Sequence, residues 1–259
     1  TGHFCGEGRW FWVIPLHGKT SLGLVYDHAV INPEEVSNGR KMLDWVATTN
    51  RDGHSIKAQV IGRPIGITLG WELTQNPFSF RPSWREIRHL PLAGKLSHLR
   101  DPAFRARLIA EETTDAAYRA RLNNWTKLYP MDDPPDYEPL PSASIAAIAE
   151  REGRDPAQVA FDALMRDEGR GMLYRPIINY GSGNLDPVRE MMADPNTLFG
   201  LGDGGAHLGI ICDASATTTT LTHWGRDRKR GDEIVLVVKN LHVQRQRVGL
   251  TANVPTHDG

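Results

Sequence analysis

The chain has 259 residues, and 30 basic against 31 acidic side chains give it a formal net charge of −1. This balance gives no electrostatic basis for binding nucleic acid or an anionic membrane surface. No apolar run approaches the ~18 residues of a membrane-spanning helix. The two cysteines suit a reducing compartment, so we expect a cytoplasmic protein with a buried core and no membrane partner.

The first predicted elements are a β-hairpin and a helix. Two aromatic and β-branched runs flank turn residues within 9–26, which predicts the hairpin. Asn32 and Pro33 have the residue types of a helix N-cap and first helical position, which predicts a helix to about Val46. The polar residues 48–53 then indicate a domain boundary.

Strands and helices alternate along the rest of the chain. The predicted order is two strands within 56–69 that break at Pro64, an ordered loop at 75–84, a short helix at 83–90, a helical region at 92–112 with a new N-cap at Asp101, a loop at 125–141, helices at 144–152 and 155–167, a strand at 173–180, a helix at 186–192 and a strand at 197–202. This alternation indicates an α/β fold with parallel strands. The charged residues 226–230 are expected to be a solvated helix end.

A glycine-rich segment from Gly200 to His207 is the strongest candidate for a functional site. It contains Asp203 directly after a predicted strand, and glycines let a backbone turn sharply and approach a ligand closely. An aspartate with an imidazole nearby can hold a metal ion or take a proton. The segment also satisfies G-x-G-x-x-G, but residues 206–220 are a poor helix, which disfavours a dinucleotide site. A glycine-rich turn without chemistry is the other alternative.

Eight short motifs, one of which overlaps this segment, follow one another along the chain. They are QV at 59–60, RPIG at 63–66, NPFS at 76–79, LYRP at 173–176, NYGSGNL at 179–185, GDGGAHLG at 202–209, CDAS at 212–215 and LTHW at 221–224. Together they resemble the N-acyl-D-amino-acid deacylase branch of the amidohydrolase superfamily over about residues 47–235. The resemblance implies a partial (β/α)8 barrel with active-site groups at the carboxyl ends of its strands. It also implies zinc-dependent hydrolysis of the amide bond of a small-molecule N-acyl amino acid.

The resemblance implies a role for Asp203, and residue type and position suggest roles for His207 and Arg63. Asp203 matches the aspartate that closes the last barrel strand, where it binds metal and moves the proton of the attacking water. His207 is a second candidate ligand of metal or substrate. Arg63 is a candidate for holding the substrate carboxylate, although an arginine at a strand end is also a common structural partner. The ten histidines include no His-x-His pair, so the alternative is a remnant or binding module without turnover.

The first 46 residues carry a different resemblance. Residues 10–15 read WFWVIP, which satisfies W-x-W-x-I-P and, with the following strand, resembles flavin-dependent halogenases. A flavin-dependent function is the third alternative, but no flavin-binding strand, turn and helix precede the motif, so we expect no flavin. The predicted domains are a halogenase-like hairpin and helix at 1–46, the amidohydrolase-like partial barrel at 47–235 and an irregular tail at 236–259. We expect a composite of pieces from two truncated or rearranged genes.

The expected partial barrel also bears on assembly. Missing strands would leave a sheet edge and an apolar face uncovered, and such edges pair readily with another chain. We therefore expect a homo-oligomer.

Overall fold

A computed structural model describes residues 2–6, 9–16, 19–26, 37–54, 56–113, 115–200, 209–210 and 215–228, with side chains from residue 40 onward. The described residues form a mixed α/β structure, as the sequence predicts. The chain divides into two compact units. Unit 1 comprises Thr1–Arg63, Asp186–Asp203 and Asp213–Gly259, and unit 2 comprises Pro64–Leu185 and Gly204–Cys212.

The regular elements have the following bounds. The described strands are β1 Gly2–Gly6, β2 Arg9–Leu16, β3 Lys19–Tyr26, β4 Ala58–Val60, β5 Ile65–Leu69, β6 Tyr129–Met131, β7 Met172–Ile178 and β8 Thr197–Phe199. The described α-helices are α1 Ser37–Arg51, α2 Pro82–Ile87, α3 Leu92–Leu99, α4 Pro102–Ala110, α5 Ala116–Leu122, α6 Ile145–Glu152, α7 Pro156–Gly169, α8 Asp186–Ala193 and α9 Ala216–Thr219. Short 3-10 helices lie at Trp125–Lys127 and Pro141–Ala143, and a π-helix at Thr220–Asp227 continues α9.

Unit 1 contains a five-stranded sheet in the order β1-β2-β3-β4-β8. Strands β2 and β3 pair antiparallel from Arg9 opposite Tyr26 to Leu16 opposite Lys19, which confirms the predicted hairpin. Strand β4 runs parallel to both β3 and β8. The sheet therefore joins an antiparallel hairpin to a parallel strand pair.

Helix α1 is longer than the sequence predicts. The expected end near Val46 is wrong, because the helix continues to Arg51. The hydroxyls of Thr48 and Thr49 donate to carbonyl oxygens one turn earlier, so these polar residues are accommodated within the helix. The predicted N-cap at Asn32 lies outside the described residues.

Unit 2 contains a three-stranded sheet in the order β5-β7-β6, and both of its strand pairs are antiparallel. The alternation of strands and helices predicts parallel pairing, which is wrong for this sheet. Neighbouring parallel strands need a crossover connection, usually a helix. The long chain between β5 and β7 contains β6 as well as helices, and β6 joins the same sheet as a third strand. The segment predicted as a loop at 125–141 contains β6, so it is not a loop throughout. The described strands thus lie in two small sheets, and the predicted partial barrel is not confirmed.

The core of unit 2 is built around four aromatic side chains. Trp71, Phe78, Trp84 and Phe161 are buried, with ring centroids 5.1 to 5.9 Å apart. Such offset and edge-to-face pairs add to the stabilisation from apolar burial. Aliphatic side chains from β5, β7 and helices α2 to α7 complete the cluster.

The helix starts of unit 2 follow their capping residues. The Asp101 carboxylate accepts a hydrogen bond from the amide of Phe104 at 2.8 Å, which confirms the predicted new start within 92–112. Asp155 caps α7 in the same way and Ser144 caps α6. None of the helices in the described part of the chain has the length and apolar character that crossing a bilayer requires.

Candidate functional site

Of the three predicted site residues, the structure describes only Arg63. Asp203 and His207 lie outside the described residues, which resume at Gly209. Strand β8 ends at Phe199, and Gly200 leads from it into the glycine-rich segment.

The glycine-rich segment starts at the carboxyl end of β8, which pairs in parallel with β4. Ala58 is opposite Thr197 and Val60 is opposite Phe199, and the Gly200 amide continues the pairing by donating to the Val60 carbonyl oxygen at 3.1 Å. The carboxyl ends of parallel strands lie at the same sheet edge, which is where α/β enzymes gather their functional groups. Arg63 follows Val60 at this edge.

The side chain of Arg63 is buried and hydrogen-bonded within unit 1. Only 1% of its surface is exposed, and its Nη1 donates to the hydroxyl of Ser215 at 3.0 Å. Ser215 is the residue from which α9 begins. In this arrangement Arg63 joins the carboxyl end of β4 to the start of α9, which supports the structural alternative for this side chain.

The helical segment that starts with α9 packs closely on the same end of β4. The Trp224 indole Nε1 donates to the Gly62 carbonyl oxygen, and 1% of Trp224 is exposed. A Cβ added to Gly62 would lie 2.8 Å from the Thr220 hydroxyl, so the glycine permits this approach. Residues 62 and 63 are therefore positioned by a helix that comes much later in the sequence.

Arg228 corrects the expectation of a solvated charged end at 226–230. Its exposed fraction is 7%, its guanidinium lies 4.6 Å from the centroid of the Trp224 ring, and its Nη2 donates to the Asp186 carboxylate. Arg226 and Asp227 are exposed as expected. The local charge run gives no sign of the Asp186 partner, which lies at the start of α8.

The described residues supply no donor set for a metal. Within them, no group of three or more His, Cys, Asp or Glu side chains is arranged to hold a metal ion. A zinc site needs three or four ligands. The two predicted ligands, Asp203 and His207, would have to act with further groups beyond the described part of the chain.

Unit 2 contains a cleft that sequence reasoning missed. Its volume is about 730 Å³. It is lined by one face of α4 and the residues after it, by Arg119 of α5 with Asn123 and Trp125 beyond that helix, by the start of α7, and by Arg81. Arg81 falls in the segment predicted as an ordered loop. Its burial depends on carbonyl oxygens of α4, which no local pattern reveals.

The geometry thus defines a mixed α/β protein with a parallel strand pair that leads into a glycine- and aspartate-bearing segment, and with a separate cleft in unit 2. No known protein family, no curated protein and no solved structure matches this chain. The resemblances to deacylases and halogenases therefore stay predictions from the sequence motifs.

Proposed function

We propose that the chain is a hydrolase of the C–N bond of N-acyl amino acids, with Asp203 as its base. The observation that carries the proposal is the parallel pairing of β4 with β8, because the chain enters the segment 201–208 from the carboxyl edge of this pair. Functional groups in α/β enzymes gather at such edges. The motif order at 59–66 and 202–215 supports the deacylase class within that general arrangement.

The proposed reaction adds water across the amide bond. Asp203 accepts a proton from the water as its oxygen bonds to the acyl carbon, and the same proton passes to the nitrogen as the C–N bond breaks. The products are a carboxylate and a free amino acid. Arg63 acts in this proposal as a positioning residue, because it is buried against Ser215.

The deacylase resemblance brings zinc and a partial barrel into the proposal. Asp203 and His207 are the proposed zinc ligands, together with groups outside the described residues. The β4 and β8 pair is one described piece of parallel sheet of the kind that such a barrel would contain.

Release of free amino acid from N-acetyl-D-amino acids tests the proposed activity. We expect release from the full chain supplied with zinc, and much slower release after zinc is removed with a chelator and the protein is dialysed. Elemental analysis of the purified protein measures the metal in parallel. Folded, zinc-loaded protein that releases no amino acid from any member of an N-acyl-D-amino-acid panel would contradict the proposal. The L-enantiomers serve as the matched control substrates.

Self-association is also part of the proposal. Among the described strands β8 lies at one end of the order β1-β2-β3-β4-β8, and an edge strand presents backbone groups that another chain can pair with. Light scattering on the purified chain should give a mass at least about twice that of one chain. A monodisperse monomer over a wide concentration range would refute the expected homo-oligomer.

A further inference from the structure

The cleft of unit 2 has the dimensions of a small-molecule site. Its volume of about 730 Å³ falls within the ~300–1,000 Å³ typical of such sites. Its lining includes none of the residues that the deacylase resemblance assigns to catalysis or metal binding. What the cleft could hold depends on its charged and apolar groups.

Arg81 is the buried charged group of the cleft. Its exposed fraction is 5%, and its Nη1 donates to the carbonyl oxygens of Leu108 at 2.8 Å and Ile109 at 2.7 Å in the last turn of α4. Its guanidinium carbon lies 4.7 Å from the centroid of the Phe78 ring. The buried Nε has no hydrogen-bond partner among the described residues. A guanidinium has more N–H donors than these two carbonyls use, and a buried unpaired donor destabilises the fold.

Two of the three acidic side chains of the cleft are engaged elsewhere. Both carboxylate oxygens of Glu111 accept hydrogen bonds from Ser83, one from its amide at 2.9 Å and one from its hydroxyl at 2.6 Å. Asp155 accepts from the amide of Ala157 at 2.8 Å as the N-cap of α7. Burial lowers the pKa of Arg81, and Glu111, Asp155 and Glu112 oppose this shift only through longer-range attraction. No carboxylate of the described residues forms an ion pair with Arg81.

About half of the remaining lining residues are apolar. They come from α4, the start of α7 and the segment after α5, namely Pro102, Ala106, Ile109, Ala110, Trp125 and Ala157. The other arginines are placed differently, since Arg105 pairs with Asp162 at 2.7 Å and Arg119 is exposed. The cleft therefore combines one buried, incompletely paired guanidinium with an apolar wall.

We propose that this cleft binds a small monocarboxylate whose aliphatic or aromatic part lies on the apolar wall and whose carboxylate pairs with Arg81. The planar guanidinium suits a carboxylate because N–H groups that the two carbonyl oxygens leave unused can donate to the carboxylate oxygens. The three arginines of the lining are matched by three acidic side chains, so no net positive charge is left to hold a second negative charge on the ligand, which separates a carboxylate from a phosphate dianion. An apolar ligand without charge would leave the Arg81 donor unpaired.

Calorimetric titration of the full chain with 4-phenylbutanoate and with its neutral primary amide tests the proposal. We expect the carboxylate to bind at least about tenfold more tightly than the amide, because only the carboxylate forms charge-assisted hydrogen bonds with the guanidinium. Equal affinity for the two compounds, or no saturable binding of the carboxylate, would overturn it.

Two variants locate the binding. Arg81→Gln should abolish the preference for the carboxylate, but Arg81 also holds the end of α4, so this variant can lose its fold. Ala106→Trp fills the cleft from the exposed face of α4 and leaves Arg81 intact, and we expect it to weaken binding about tenfold or more. Ala103→Trp is the matched control, since Ala103 is exposed on the same helix and does not line the cleft. Equal binding by the Ala106→Trp and Ala103→Trp proteins would place the ligand elsewhere and contradict the proposal.

Discussion

Gly171→Ala is expected to lower the free energy of unfolding of unit 2 by about 3 kcal/mol or more. Gly171 lies between α7 and β7, and its amide donates to the Arg166 carbonyl oxygen at 3.0 Å. A Cβ at this position would overlap the Ala163 carbonyl oxygen and lie 3.1 Å from its carbonyl carbon. These are backbone atoms of a buried helix, so no side-chain rotation relieves the overlap. Urea denaturation followed by tryptophan fluorescence measures the loss.

Gly153→Ala is the control that separates overlap from backbone strain. Gly153 has a φ of 62° and ends α6, but a Cβ there would have no other atom within 4 Å. This variant should lose only about 1 to 2 kcal/mol, the usual penalty for a left-handed alanine. If both variants lose the same amount, the close approach of Gly171 to α7 is not what makes the glycine necessary.

Local signals in the sequence were sufficient to predict several elements of this fold. Asp101 and Asp155 each precede a proline and cap a helix, and the structure has α4 and α7 at these points. The break at Pro64 separates β4 from β5 as predicted. Caps and proline breaks act within a few residues, so a single sequence contains the information.

Features that depend on distant partners were missed. Arg81 is buried because carbonyl oxygens at 108 and 109 accept its hydrogen bonds, and Arg228 is buried beside Asp186 and Trp224. Arginine in a polar or loop-like stretch is ordinarily read as exposed. Only the packed structure shows that these two guanidinium groups have partners far away in the sequence.

The candidate site likewise has some features that the sequence predicts and others that depend on tertiary contacts. The sequence predicts strands at 56–69 and 197–202, and both exist, but that β4 and β8 pair with each other is a tertiary fact. The sequence allows Arg63 to be a substrate ligand or a structural partner, and its hydrogen bond to Ser215 supports the structural role. The roles of Asp203 and His207 are inferred from the motif and from their positions in the sequence, since both residues lie outside the described part of the chain.

Asp203→Asn should decrease the release of amino acid from N-acyl-D-amino acids about a thousandfold. Asparagine preserves the size of the side chain, but its amide cannot accept a proton as a carboxylate does. Asp52→Asn removes the same charge at an exposed position at the end of α1, and we expect it to keep full turnover. Thermal unfolding of both variants checks that neither has lost its fold.

The two variants together decide what the glycine-rich segment does. If Asp203→Asn and wild type turn over substrate at equal rates, Asp203 is not the base, and the segment is a turn without chemistry. If turnover falls while binding of 4-phenylbutanoate is unchanged, catalysis depends on Asp203 and the cleft beside Arg81 is an independent binding site. Loss of both would instead indicate that Asp203 stabilises the fold. The result thus separates a catalytic aspartate from a structural one without relying on activity alone.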